Sequence, residues 1–292
     1  MMQNFSFHMH TTGFDGDNSE EEMLQQAEQS GLKQIGISNH FIVYPNIEQT
    51  AMYPYAQKGG YSTIYASDFD EAISRFIPHY EKIDELNKNG SIKIYKGMEV
   101  DFFASDEWQK GFERAVSILK PDYLIGAAHF VECNHTLYNA HDLKNASPIE
   151  QNMLIHHYWQ NVRAAANSGL FDFMAHLDLI KKVGLGIEET WREEELKTIE
   201  TIKNSGAKVE INTSHFRFGE EPYPSRRIMK MIAENDIPVL LSDDAHNKKN
   251  ITAGFSKAQK IAEECGITNF CNPLEKERKM PSVRFNNGKS YS

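Results

Sequence analysis

Apolar residues along this chain follow two periods in turn. Short apolar runs near residues 5–10, 34–38, 92–99, 123–129, 171–177, 208–213 and 238–243 predict seven strands. Between them, apolar positions spaced by three and four predict helices over 19–30, about 68–89, 106–119, 149–168, 190–204, 224–235 and 255–265. Several helix ends have a chemical basis. Ser19 followed by Glu22 makes a capping box, Gly31 closes the same helix, and Gly90, Gly169 and Gly206 stand where they would close later helices in the same way. Strands alternating with helices predict an α/β fold whose parallel sheet is covered by helices. Periodicity alone leaves two forms open, an open doubly wound sheet and a closed barrel.

One stretch breaks the rhythm. Residues Phe41 to Ser67, FIVYPNIEQTAMYPYAQKGGYSTIYAS, carry five tyrosines, two prolines and a Gly-Gly pair. This predicts a long insertion after the second strand, of the kind that serves as a lid, a binding loop or an inert excursion. No linker, repeat or shift of composition divides the chain. The expectation is one domain over 1–292, with the insertion at about 41–67 and a C-terminal tail from about 270.

The polar residues at the strand ends change the picture. In the first strand, alternation would put Phe5, Phe7 and Met9 on one face and His8 and His10 on the other. His40 follows the second strand, Glu99 ends the third, His129 the fourth and His176 the fifth, and Asp244 with His246 follows the seventh. The C-terminal ends of the strands are where a βα barrel assembles its site. Any one of these residues taken alone reads better as a hydrogen-bonded polar group than as a ligand. The other histidines, His79, His135, His141, His156, His157 and His215, are scattered over helices and loops. It is the concentration at strand ends that points to metal.

Counting Asp15, the set is rich in imidazole and carboxylate and has no thiolate, which suits zinc, iron or manganese. It exceeds the needs of one ion. Two or three divalent metals are expected, with Glu99 as a bridging ligand. Clustered metals suit the hydrolysis of phosphate esters, because they generate hydroxide at neutral pH and neutralise charge on the transferring phosphoryl group.

Composition narrows the alternatives. Hydrophobic residues at 40% and charged residues at 25% are globular values. A formal net charge of -10 disfavours nucleic acid as a partner. No apolar run has the length of a membrane span, and the N-terminus lacks a basic start followed by an apolar core, so a cytoplasmic protein is expected. Cys133, Cys265 and Cys271 form no C-x-x-C pair, which disfavours a disulfide framework or a zinc knuckle. The expected partner is a small phosphomonoester. The oligomeric state has no signature here.

His8-Met9-His10 with Asp15-Gly16, Ser38-Asn39-His40, Gly97-Met98-Glu99, His129, His176 and Asp244-Ala245-His246 together resemble the motifs of the polymerase and histidinol phosphatase (PHP) superfamily. YLIGAAHFV, FDFMAHLDLIKK and EINTS followed by Arg217 and EPYPS are similar to its histidinol-phosphate phosphatase branch. The resemblance implies a distorted seven-stranded βα barrel with a trinuclear site at its C-terminal mouth. It implies that His8, His10, Glu99 and Asp244 hold one metal, that Glu99, His129 and His176 hold a second, and that Asp15, His40 and His246 hold a third. Glu99, Asp244 and Asp15 are thereby the catalytic carboxylates. Hydrolysis of L-histidinol phosphate in histidine biosynthesis is the implied activity.

Arg217 is the best candidate to grip phosphate, because a guanidinium matches its oxygens in pairs. Lys181, Lys182 and His215 are further candidates for phosphate or substrate binding. Asp178 is a candidate to orient a ligand from behind. Three positions depart from the pattern: Asn39 replaces a usual Asp, Asp243 adds a carboxylate beside the metals, and His215 stands where Gly is frequent and would narrow the pocket or add a hydrogen-bond donor. Two other readings stay open, a related phosphoesterase for a nucleotide, oligonucleotide or phosphopeptide, and a non-catalytic metal-binding barrel.

Overall fold

All seven predicted strands form, and most are shorter than the apolar runs that announce them. The computed structural model describes residues 3–50, 53–60, 62–133 and 136–275; His135 and the chain beyond residue 275 lie outside these. In chain order the strands are β1 (Phe5–Ser6), β2 (Gln34–Ile37), β3 (His40–Val43), β4 (Tyr65–Ala66), β5 (Lys93–Asp101), β6 (Tyr123–Ala127), β7 (Phe130–Cys133), β8 (Thr136–Asn139), β9 (Phe173–Met174), β10 (Lys208–Asn212) and β11 (Val239–Ser242). The helices are α1 (Glu20–Gln29), α2 (Tyr53–Gly59), α3 (Phe69–Asn89), α4 (Asp106–Leu119), α5 (Pro148–Ser168), α6 (Arg192–Ser205), α7 (Arg226–Glu234) and α8 (Phe255–Glu264).

Parallel pairing runs in the order β1-β2-β5-β6-β9-β10-β11, which decides between the two forms in favour of a nearly closed barrel. The seam is thin. Met9 and Ala245 make a single parallel bridge, with His10 N–H donating to the Ala245 carbonyl at 3.0 Å. Below it the Gln3 side chain stands in for a missing strand residue, donating to the Leu241 carbonyl at 2.7 Å and accepting from the Leu241 N–H at 2.8 Å. The barrel is distorted at this seam.

Two apolar cores result. The larger lies between strands and helices, and the smaller fills the barrel with Phe5, Phe7, Tyr123, Ile125, Phe173 and Leu240. The predicted alternation of the first strand fails after Phe7: Phe5 and Phe7 join the inner cluster, whereas Met9 joins the outer one. β1 ends at Ser6, so strict two-residue alternation no longer applies where His8 and His10 begin. The Tyr123 ring occupies the space that side chains on β2 and β5 would need. A Cβ on Gly36 would fall 2.1 Å from the Tyr123 hydroxyl, and one on Gly97 2.2 Å from its ring. This close approach accounts for the glycine two residues before Glu99.

The helix caps follow the sequence with one exception. Ser19 and Glu22 make both bonds of the capping box, and Gly31, Gly169 and Gly206 take left-handed backbone. Gly90 is extended, with φ −73°, so α3 ends without a left-handed cap. The antiparallel hairpin β7–β8 has no counterpart among the predicted elements. Its ten-residue stretch alternates too weakly to stand out from a loop.

The segment 41–67 is only partly an excursion. It begins in β3, which continues alongside β5 with His40 opposite Glu99 and Phe41 opposite Val100, and it returns as β4 beside β3. The described start of the C-terminal tail is packed. Val239 bonds to Asn269 and Cys271, Asn272 reaches Gln34, and Leu274 rests against the inner core. Among the described residues, no helix is long and apolar enough to cross a membrane.

Candidate metal centre

The nine residues expected to hold metal converge at the C-terminal mouth of the barrel. Glu99 is buried at the centre. Its Oε2 lies 2.9 Å from His40 Nδ1, 3.3 Å from His8 Nε2 and 3.6 Å from His10 Nε2. Its Oε1 lies 2.9 Å from His176 Nε2 and 3.5 Å from His129 Nε2. Asp244 Oδ1 stands 3.3 Å from His10 Nε2, 3.4 Å from His246 Nδ1 and 3.7 Å from His8 Nε2. Asp15 faces His40 at 3.2 Å, His246 at 3.0 Å and His10 at 3.5 Å. Among the described residues, three sets of donor atoms have a spacing fit to share an ion: His10, Asp15, His40 and His246; His8, His10 and Glu99; His40, Glu99 and His129.

Unsatisfied atoms give a test of whether metal fits. Buried polar atoms normally find a hydrogen bond. Here His8 Nε2, both nitrogens of His10, His40 Nδ1, Asp15 Oδ1, Glu99 Oε2 and Asp244 Oδ1 are buried with no hydrogen-bond partner. They are close to one another yet misaligned for hydrogen bonding, as ligands of a common ion are. The donor set is imidazole and carboxylate throughout, which fits a divalent cation.

The charges agree with this geometry. Burial by itself would raise the Glu99 carboxyl, but His40, His8 and His129 outweigh it and hold the group well below its ordinary range. Asp15 and Asp244 are held low in the same way by their histidines. Burial, reinforced by repulsion from His246 and His40, pushes His10 down to about 4. The added carboxylate at Asp243 is buried and turned away from the histidines by a backbone hydrogen bond. Burial pushes it up to about 7, and Oδ2 accepts the Thr252 N–H at 2.8 Å.

Local structure aims these side chains. Asp244 has a left-handed backbone, φ 48°, a conformation more costly for Asp than for Gly. Its Oδ2 is held by Asn212 at 3.3 Å and Ser214 at 3.2 Å, which leaves Oδ1 for the histidines. Two orienting carboxylates escaped the sequence reading. Glu210, fully buried, pairs with His8 Nδ1 at 2.8 Å and accepts the His176 N–H at 3.0 Å. Asp101 holds His129 Nδ1 at 2.9 Å and accepts its N–H at 2.7 Å. The signal for Asp101 was its place two residues beyond Glu99, on the same face of the strand. Asn39, where an Asp is usual, accepts the Thr11 N–H at 2.8 Å and meets His79 at 3.1 Å. It fixes the loop that follows His10.

A cavity of about 390 Å³ opens over the centre. Lys182 and Arg217 line it, as do Ile42, Tyr55, Ile64 and Tyr65 from the 41–67 segment. Asn139, at the end of β8, and His141 and Asp142, from the turn after it, also line it, so His141 does not belong with the scattered histidines. Lys181, His215 and Asp178 take other places. Lys181 donates to the Pro222 carbonyl and pairs with Asp178 at 3.4 Å. His215 Nδ1 donates to the Glu221 carbonyl at 2.6 Å, so its ring does not narrow the cavity. Asp178 accepts the Ser225 N–H at 2.9 Å, and no described contact joins it to a candidate metal ligand.

Comparisons with known proteins agree with this architecture. The chain is 29% identical over 179 residues to a Deinococcus radiodurans protein named "Probable histidinol-phosphatase", a match covering 61% of this chain and 66% of that one, just under two thirds of its length. A Schizosaccharomyces pombe protein of the same name is 22% identical over 86% of this chain and 82% of its own. In fold the chain is similar to hisK from Listeria monocytogenes, with TM-score 0.67 at 16% identity over 87% of this chain and 99% of that one. It is also similar to histidinol phosphate phosphatase from Lactococcus lactis, solved with zinc, L-histidinol and phosphate, with TM-score 0.61 at 14% identity over 92% and 95% of the two chains. At these identities the solved structures speak for the fold. The model of the PHP domain matches residues 6–214, well over half of the sequence, and the chain belongs to the PHP domain family.

Proposed function

We propose that this protein is a metal-dependent phosphomonoesterase that hydrolyses L-histidinol phosphate to L-histidinol and phosphate in the cytoplasm, as a step of histidine biosynthesis. One observation carries the reading: both oxygens of Glu99 face imidazoles, five in all, beneath a cavity lined by Lys182 and Arg217. The names of the two relatives and the ligands of the Lactococcus structure support the choice of substrate.

In this reading His8, His10, Glu99 and Asp244 hold one divalent ion, Glu99, His129 and His176 a second, and Asp15, His40 and His246 a third. When bound, such ions supply positive charge for the phosphoryl oxygens and make water acidic enough to act as hydroxide near neutral pH. The chain's own groups do the rest. Glu210 and Asp101 keep His8 and His129 in the tautomers that leave Nε2 free for metal. Lys182 and Arg217 take up phosphoryl charge at the cavity wall. Tyr55, Tyr65 and Phe130 offer flat apolar surface to the imidazole of the alcohol, and Asp142 offers a carboxylate to its amine.

The test is phosphate release by metal-loaded protein from L-histidinol phosphate, a nucleoside monophosphate and a phosphotyrosine peptide. The expected result is a kcat/KM for L-histidinol phosphate well above the other two. Equal or greater turnover of either competitor overturns the substrate, and no release from any of them overturns the enzyme.

A further inference from the structure

Tyr223 lines the cavity beside Arg217, His176 and Asp244. The residue is only 2% exposed, and its hydroxyl is buried without a hydrogen-bond partner. A buried phenol ordinarily finds an acceptor. Its surroundings hold the ring in place. The Lys181 ammonium sits over the ring at 4.8 Å from its centre, and the His215 ring packs against it at 4.7 Å. The backbone is clamped on both sides, with Tyr223 N–H donating to Asn212 at 2.9 Å and its carbonyl accepting from Asn212 at 2.7 Å.

The strap from Glu221 to Ser225 is held residue by residue. His215 binds the Glu221 carbonyl, Lys181 the Pro222 carbonyl, and Asp178 the Ser225 N–H. Lys181 and His215, which sequence alone would turn toward substrate, and Asp178, which it would turn toward a metal ligand, are thus spent on fixing one short segment. Preorganised donors of this kind are the usual means of stabilising charge that develops during a reaction.

We infer that Tyr223 is an additional substrate-binding residue, whose hydroxyl donates a hydrogen bond to an oxygen of the phosphoryl group held over the metal centre. This rests on the phosphatase reading of the site. A phenol keeps its proton near neutral pH, so the hydroxyl acts as a neutral donor. Lys181, His215 and Asp178 are positioning residues that act through it.

The test is Tyr223→Phe, which keeps the ring and removes only the hydroxyl. Binding of inorganic phosphate to the metal-loaded protein is measured by calorimetry, with metal content and Tm measured alongside. The expected result is phosphate binding weakened by roughly 10–100-fold, the range for one hydrogen bond to a charged group. Metal content should be unchanged, and Tm unchanged or raised, because the lost hydroxyl had no partner to leave behind. A purely structural tyrosine would instead lower Tm and leave the phosphate affinity intact. Equal phosphate affinity in the two proteins, or no phosphate binding by the unsubstituted protein, overturns the inference. Failure to hydrolyse any phosphomonoester would overturn the functional reading separately, since phosphate affinity is read without turnover.

Discussion

Two buried tyrosines in one barrel are treated in opposite ways. Tyr123 lies among the inner apolar core, and its hydroxyl donates to the Phe7 carbonyl at 2.7 Å. Tyr223 lies at the mouth, equally buried, and its hydroxyl meets nothing. The contrast extends to their neighbours. Around Tyr123 the contacts are aromatic and aliphatic, whereas around Tyr223 histidine and carboxylate atoms stand within 4 Å of one another without bonding. One end of the barrel is built to be stable by itself. The other carries unsatisfied groups that only a bound ion or substrate completes, which is a cost in stability accepted for function.

Each end can be broken separately. Glu99→Gln removes the charge at the centre of the cluster, and phosphate release should fall by roughly 10³-fold or more, beyond the loss expected of an outer residue. Metal content by elemental analysis should fall with it, and full metal content with full activity would contradict the site. Asp101→Asn keeps the shape but weakens the hold on His129; metal affinity, measured by competition with a chelator, should drop about 10–100-fold. At the other end, Tyr123→Phe leaves the Phe7 carbonyl without its donor. Urea unfolding of the metal-loaded protein should show a loss of about 1–2 kcal/mol, with kcat/KM nearly unchanged. A large loss of activity there would blur the distinction between the two ends.

The smallest effect concerns pH. Burial by itself would lower His8 and His40, but Glu210 and Glu99 for His8, and Asp15 and Glu99 for His40, raise both well above 6.5 in the metal-free protein. A raised imidazole contributes stability that is fully present below 6.5 and is lost as pH rises through its folded value. His10, pushed down to about 4, acts in the opposite sense but stands against these two and against raised His176 and His246. Tm in excess chelator should therefore fall as pH rises from 6.5. With metal bound the slope should reverse, because ligation requires neutral imidazole and releases protons. Parallel slopes in the two conditions would contradict the shared use of these histidines.

Much of this was legible before any coordinates. The candidate ligands His8, His10, His40, Glu99, His129, His176, Asp244 and His246 stand out by recurring at strand ends, and that regularity comes from local periodicity. The functions of Lys181, His215 and Asp178 were not legible. A lysine bound to the carbonyl of Pro222 has the same local sequence as one that faces substrate, since the difference lies in a partner 41 positions away. Glu210 was hidden for a like reason, because it meets His8 across 202 positions.

The sequence by itself determined the order of the seven barrel strands and the helices between them, the caps that Ser19 and Glu22 build, and the end of the sheet at which the chemistry collects. These depend on neighbours within a few turns of chain. Only the tertiary structure decided that the sheet closes through Met9 and Ala245. It also decided that Glu99 divides its two oxygens among five imidazoles, and that a strap held by Lys181, His215 and Asp178 keeps one tyrosine hydroxyl unsatisfied at the mouth. Those outcomes depend on contacts between distant segments, and such contacts exist only once the barrel has closed.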